Sequence, residues 1–303
     1  MDAKLTAEEK REKRFDKWLA AKEVKFRSPK AKKAYQERVT RFIRAFKLEK
    51  PDRVPVILPA GSYPLYYSDL TLKDGMHDNK RLIQAYRKFL ADFESDTFAS
   101  PGMVGSAKAS EIVDNQNIKW PGHGLPDDAS MSQFVEGEYM KADEYDLFLD
   151  DLTDFCLRRY LPRSIGSLAP FANFPPTPFI LGMAGRFLQP AVLPQVRAAY
   201  QSIIDYGLET AQWMGPVMEF HQEATAAGYP SVFGGQSHAP FDILADTLRG
   251  TKGIILDMYR QPEKLLAAIE KVTPMNIAVG VDGAAMSGNP VIFFALHKGD
   301  DTF

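Results

Sequence analysis

The chain has 303 residues, 45% hydrophobic and 25% charged, with a net charge of −2. These values suit an ordinary globular protein with room for one large domain or two small ones, and the near-neutral balance gives no overall signal for nucleic acid or a membrane. Cys156 is the only cysteine, which excludes an internal disulfide and a cysteine-rich zinc site and suits a reducing compartment. No stretch approaches the roughly 20 apolar residues that span a bilayer. The charged opening run is not followed by apolar residues, so no secretory signal is expected and a cytoplasmic location is the expectation.

In chain order, residues 1–50 come first, with 17 Lys and Arg against 8 Asp and Glu. Such a basic arm on an acidic body could meet an anionic partner, but charge runs are more often the solvated face of a packed helix, and that is the reading adopted. Residues 6–27 and 31–48 read as helices; in the second, Ala34, Val39, Phe42, Ile43 and Phe46 recur at three- and four-residue steps, giving one apolar face. Residues 54–58, Val-Pro-Val-Ile-Leu, read as a first strand stopped by Pro59 and Gly61. Helix 78–93 follows, with Leu82, Ala85, Tyr86, Phe89, Leu90 and Phe93 on one side, and then a second strand at 96–99. Residues 101–176 are rich in Gly, Pro and Asp and read as an insertion, with a turn at 120–128 and an acidic helix near 141–160. Further strands are expected at 179–183, 231–234 and 291–296. Helices are expected over 191–228, kinked at Pro216, and over 241–288, broken at Pro262 and Pro274.

Short apolar strands separated by helices predict a parallel sheet with helical crossovers, either a closed (β/α) barrel or an open doubly wound sheet. No Gly-x-Gly-x-x-Gly follows the first strand, which disfavours a dinucleotide-binding sheet.

Three segments carry a resemblance. Glu49-Lys50-Pro51-Asp52-Arg53-Val54-Pro55-Val56 resembles the approach to the first barrel strand of uroporphyrinogen decarboxylase-like proteins, especially the branch related to corrinoid methyltransferases. Residues 239–250, Ala-Pro-Phe-Asp-Ile-Leu-Ala-Asp-Thr-Leu-Arg-Gly, with 257–266, Asp-Met-Tyr-Arg-Gln-Pro-Glu-Lys-Leu-Leu, are similar to a strand-to-helix passage of that superfamily. Residues 296–303, Leu-His-Lys-Gly-Asp-Asp-Thr-Phe, are similar to its next strand end. The resemblance covers roughly residues 40–303. It implies an α/β fold, a parallel (β/α)8 TIM-type barrel over 51–303 behind a basic helical arm at 1–50. About the fourth barrel strand then falls at 291–296, the later strands are expected beyond Phe303, and residues 291–296 are expected at an open sheet edge, with self-association or poor solubility as the consequence.

The resemblance also implies chemistry. The decarboxylases carry two arginines around an Ala-Gly pair at the first strand end, where guanidinium groups clamp the substrate's carboxylates; Pro59 and Ser62 stand there. They carry an aspartate at the second strand end, where this chain has Ala99, Ser100 and Pro101, and a tyrosine that aligns with Asp246. Tetrapyrrole- or corrinoid-related chemistry is therefore expected, without strict decarboxylation of uroporphyrinogen and with no bound cofactor. The alternative is methyl transfer from a methylated corrinoid protein to a thiol or folate-type acceptor. That reaction needs the corrinoid on a partner protein and a zinc held by a His-x-Cys pair and a distant cysteine; these 303 residues hold no His-x-Cys, and the resemblance puts the aligned region beyond Phe303. A non-catalytic binding or scaffold protein is the third alternative.

Barrel enzymes place their chemistry at the C-terminal ends of strands. That rule selects His297, Asp300 and Asp301 as catalytic candidates, with His297 as acid or base. It selects Ser62, Tyr63, Ser100, Arg186, Gln236, His238, Asp242, Asp246 and Lys298 as substrate-binding candidates, with Lys298 as an anion clamp and no metal site. His238 and Asp242, four apart, would share a face if both lay on one helix; otherwise Asp242 favours the dipole at a helix start. His123 reads as a turn residue and His77 and His221 as surface helix residues. Trp120, Trp213 and the methionines read as core.

Overall fold

The computed structural model describes residues 5–176 and 188–298. The expected strand at 179–183 and the candidates Arg186, Asp300 and Asp301 lie outside the described residues.

Two helices form the basic arm. α1 (Ala7–Ala20) starts in a reciprocal cap, in which the Thr6 hydroxyl accepts the Glu9 N–H and the Glu9 carboxylate accepts the Thr6 N–H. It ends at Ala21, which takes the left-handed conformation. α2 (Pro29–Phe46) is capped by Ser28, with proline in its first turn. The apolar stripe of the sequence becomes a core in which Phe15 and Trp18 of α1 meet Tyr35, Val39 and Phe42 of α2, with Val232 and Val291 packed against them. Most of the arm's lysines and arginines are left on the outer faces, as expected for a charge run on a packed helix.

α3 (Asn79–Asp92) buries Leu82, Ile83, Ala85, Tyr86 and Phe89. It faces α4 (Pro194–Ala226), which contributes Trp213, Val217 and Phe220 to the same core, where Trp120 is also buried. Pro216 lies within α4 without ending it. Residues 101–176 supply a three-stranded sheet: β1 (Ile118–Pro121), β2 (Gly124–Leu125) and β3 (Gln133–Phe134), in the order β2-β1-β3. β3 runs antiparallel to β1 and β2 parallel to it. The turn at Trp120 is tight, and the His123 ring stacks on the indole at 3.9 Å.

β4 (Gly235–His238) and β5 (Ile292–Ala295) pair in parallel, with Gly235 opposite Ile292 and His238 opposite Ala295. Parallel neighbours need a long crossover. Here it runs through a short helix, Pro240–Asp242, a π-helical stretch, Ile243–Arg249, then α5 (Gly250–Arg260) and α6 (Pro262–Ser287). The break before Pro262 is as expected, but α6 continues through Pro274. β4 lies close on α6 because both surfaces are glycine: a Cβ on Gly235 would stand 2.4 Å from the Gly280 carbonyl oxygen, and one on Gly283 would stand 3.1 Å from the Gly235 Cα.

The molecule is thus a mixture of α and β, mostly helical with few, short strands. Among the described residues the second sheet is the β4–β5 pair alone. Three strand expectations need correction. Residues 54–58 and 96–99 form no ladder, and Asp96 and Thr97 lie in a bend. Pro55 and Pro59 lack amide hydrogens, and the Asp96 carboxylate takes the Val56 N–H at 2.8 Å; only Asp96 N–H to Val56 C=O, 2.9 Å, joins the two segments as strands would. The strand expected at 231–234 forms at Gly235–His238 instead, because the apolar signal at Val232 is used against the arm core rather than in a ladder.

Asp96 also anchors the arm. Its carboxylate is fully buried and receives Arg41 at 2.6 Å and Arg53 at 2.7 and 2.8 Å; Arg41 in turn grips Asp52 with two bonds of 2.8 and 2.6 Å. Arg38 adds a bond to the Gly228 carbonyl, 2.7 Å, and lies over the Tyr229 ring.

Candidate functional site

The C-terminal ends of β4 and β5 bring four of the selected residues together. Asp242, 1% exposed, ends the short helix after β4 and accepts the backbone N–H groups of His297 at 2.7 Å and Lys298 at 2.9 Å. It therefore fixes the loop after β5, a different role from the helix-dipole one. Asp246 lies four residues on, in the π-helical stretch, a wide helical form often found at functional positions. Its carboxylate holds His297 Nδ1 at 2.9 Å through one oxygen and the Lys298 ammonium through the other. The His297 ring is 72% exposed, and among the described residues its Nε2 has no hydrogen-bond partner.

Lys298 is buried, 8% exposed, with Glu136 as a second carboxylate partner at 3.1 Å. Burial works against its charge, but the bonds to Asp246 and Glu136 outweigh that and hold the ammonium above the ordinary lysine value. Glu136 also accepts the Thr251 hydroxyl and the Thr251 N–H, the latter at 2.5 Å. The Thr251 hydroxyl, with help from Lys298, depresses its pKa. Lys298 is thus engaged by two carboxylates of its own chain.

A cleft of about 540 Å³ adjoins this cluster, with Glu136, Glu138, Arg249, Thr251, Lys252 and Asp257 in its walls. Beneath it Arg249 and Asp257, both buried, pair at 2.5 Å; Tyr145 donates to Asp257 at 2.8 Å, and Arg249 reaches Glu138 at 2.6 Å and the Met140 carbonyl. Burial opposes the Arg249 charge, yet its bonds to Asp257 and Glu138 leave its pKa raised. This network ties the 138–140 segment to α5 and gives the Leu-Arg-Gly and Asp-Met-Tyr pieces of the sequence a structural role.

The other candidates lie apart in their bonding. Gln236 and His238 are exposed on β4, so His238 and Asp242 share no helix. Ser62 donates to the Ser130 carbonyl at 2.9 Å, and Tyr63 stacks with Tyr67. Ser100 caps the turn Pro101–Met103 and bonds His221 at 2.8 Å. His221 is half-buried rather than a surface residue. Its helical spacing carried the signal, since it follows buried Val217 by four positions. Glu136 and Thr251 left no sequence signal: Glu136 meets Lys298 across 162 residues of chain. Among the described residues no group of three or more His, Cys, Asp or Glu could hold a metal ion, and no helix is long and apolar enough to cross a membrane.

Comparison of the chain with family models, with curated proteins and with solved structures returns no match.

Proposed function

We propose that the chain is an enzyme of the uroporphyrinogen decarboxylase type, acting by proton transfer on a tetrapyrrole or corrinoid-type substrate at the β4–β5 strand ends. The observation that carries the reading is the convergence of Asp242, Asp246, His297 and Lys298 at the C-terminal end of a parallel strand pair, the end where barrel enzymes place their chemistry. The finer fold proposed is a (β/α)8 barrel to which β4 and β5 contribute neighbouring strands, carrying the 1–50 arm on its outside.

In this reading His297 is the acid–base group. A carboxylate on Nδ1 orients the ring, and the exposed Nε2 is the atom that exchanges a proton with substrate. Loss of carbon dioxide from an acetate side chain leaves a carbon that must take up a proton, and an acid–base group oriented at that carbon delivers it. Lys298 keeps the second Asp246 oxygen occupied, so that Asp246 cannot swing away. Pro59 and Ser62 offer no guanidinium clamp, so a substrate other than uroporphyrinogen is proposed.

Titration of the purified chain with uroporphyrin and with cobalamin, followed by tryptophan quenching, tests this. Saturable binding of one of them, weakened by His297→Ala, is expected, with little coproporphyrinogen formed from uroporphyrinogen. Absence of binding to either macrocycle would overturn the reading, and rapid coproporphyrinogen formation would overturn the exclusion of uroporphyrinogen as substrate.

A further inference from the structure

The Ser100–His221 contact is not used by the chemistry at β4–β5. Ser100 Oγ lies 2.8 Å from His221 Nε2 and accepts the Gly102 N–H at 3.1 Å. With that lone pair engaged, the hydroxyl hydrogen is free to point at the imidazole. His221 is held on α4 and flanked by the rings of Phe98, 5.0 Å between centroids, and Phe220, 6.3 Å. Burial depresses its pKa, so at neutral pH the ring is uncharged and Nε2 can accept. Ser100 itself is only half-buried, and exposed Gly102 and Met103 follow it. His221 also forms part of the wall of a cleft of about 580 Å³ in which Lys25 and Arg27 are matched by Glu23 and Glu223.

We infer that Ser100 and His221 form a nucleophile–base pair able to hydrolyse a small ester. A weak nucleophile needs an adjacent base within about 2.6–3.2 Å, and this pair meets that distance. Ser100 Oγ bonds to the ester carbonyl carbon while its proton passes to His221 Nε2. The bond from that carbon to the alkoxy oxygen breaks, and the alcohol leaves with the proton. Water then attacks the acyl-serine, gives a proton to His221, and releases the acid with Ser100 restored.

The test is labelling of the full chain with a fluorophosphonate, read by intact mass and peptide mapping, beside hydrolysis of p-nitrophenyl acetate. Phosphonylation at Ser100 is expected, slowed about 100-fold or more in His221→Gln, the usual scale for a lost general base, with acetate hydrolysis falling in parallel. Because burial lowers the His221 pKa, the rate should hold level as pH falls to about 6.5 and drop only at more acid pH. Ser100→Cys, which keeps a nucleophile in place, should be alkylated by iodoacetamide faster than Cys156, whose thiol burial pushes up. Folding of each variant is checked by thermal unfolding. No labelling of Ser100 in the folded parent chain, or labelling indifferent to His221→Gln in a folded variant, overturns the inference.

Discussion

Asp96→Ala is the perturbation that best tests how the arm is held. The substitution removes a fully buried carboxylate that takes three charge-assisted bonds from Arg41 and Arg53 and one from the Val56 N–H. Removing one partner of a buried ion pair costs about 3–5 kcal/mol, because the remaining charge is stranded. Two features pull the value toward the lower end. Arg41, itself buried, retains its two bonds to Asp52, and Arg53 is 45% exposed, so water can solvate it. The expected loss is about 3 kcal/mol, whereas Arg53→Ala should cost about 1 kcal/mol, as for a partly exposed pair. Urea unfolding followed by tryptophan fluorescence is the assay. Trp18 reports on the arm core, while Trp120 and Trp213 report on the body, so variants keeping one or the other show whether the arm is released first. An Asp96→Ala chain within about 1 kcal/mol of the parent, with arm and body still unfolding together, would refute the reasoning.

Asp242→Ala should cost about 2 kcal/mol, since the His297 and Lys298 amides lose their acceptor; faster hydrogen exchange at those two amides is the specific readout. Gly235→Ala forces a Cβ to within 2.4 Å of the Gly280 carbonyl oxygen and should destabilise by about 1–3 kcal/mol, measured by thermal unfolding. Acid sensitivity should depend on Asp257. Burial raises its pKa, but bonds from Arg249, Gln261 and Tyr145 outweigh it and leave the folded-state value depressed. Its contribution is therefore full above the unfolded value of about 3.9 and is lost as pH falls through the lower folded value. Asp257→Asn should flatten the acid limb of the stability curve; an unchanged limb would remove Asp257 from the account. Phe293, Phe294 and Leu296 are exposed on and beside β5, and free strand edges invite pairing. Sedimentation at micromolar concentration should show self-association that Phe294→Lys reduces.

Local patterns in the sequence determined the helices and little of the sheet. The stripe Leu82, Ala85, Tyr86 and Phe89 needs only the helical period to be read, and it is buried as the period requires. Strand formation depends on partners. Residues 54–58 have a β-rich composition, yet prolines and the Asp96 carboxylate consume the groups that a ladder would use. The sequence also selected Asp242, Asp246, His297 and Lys298 through their place at expected strand ends. It could not show that Asp242 would bind backbone amides, or that Lys298 would be neutralised by Glu136 from the distant loop after β3. Side-chain pairing across 162 residues is set by which loops the crossover brings together, and only the tertiary structure fixes that. Proline carries the same division: at Pro262 it opens a helix because a free first turn lacks amide partners anyway, while at Pro274 and Pro216 neighbouring turns and packing carry the helix past the missing bond.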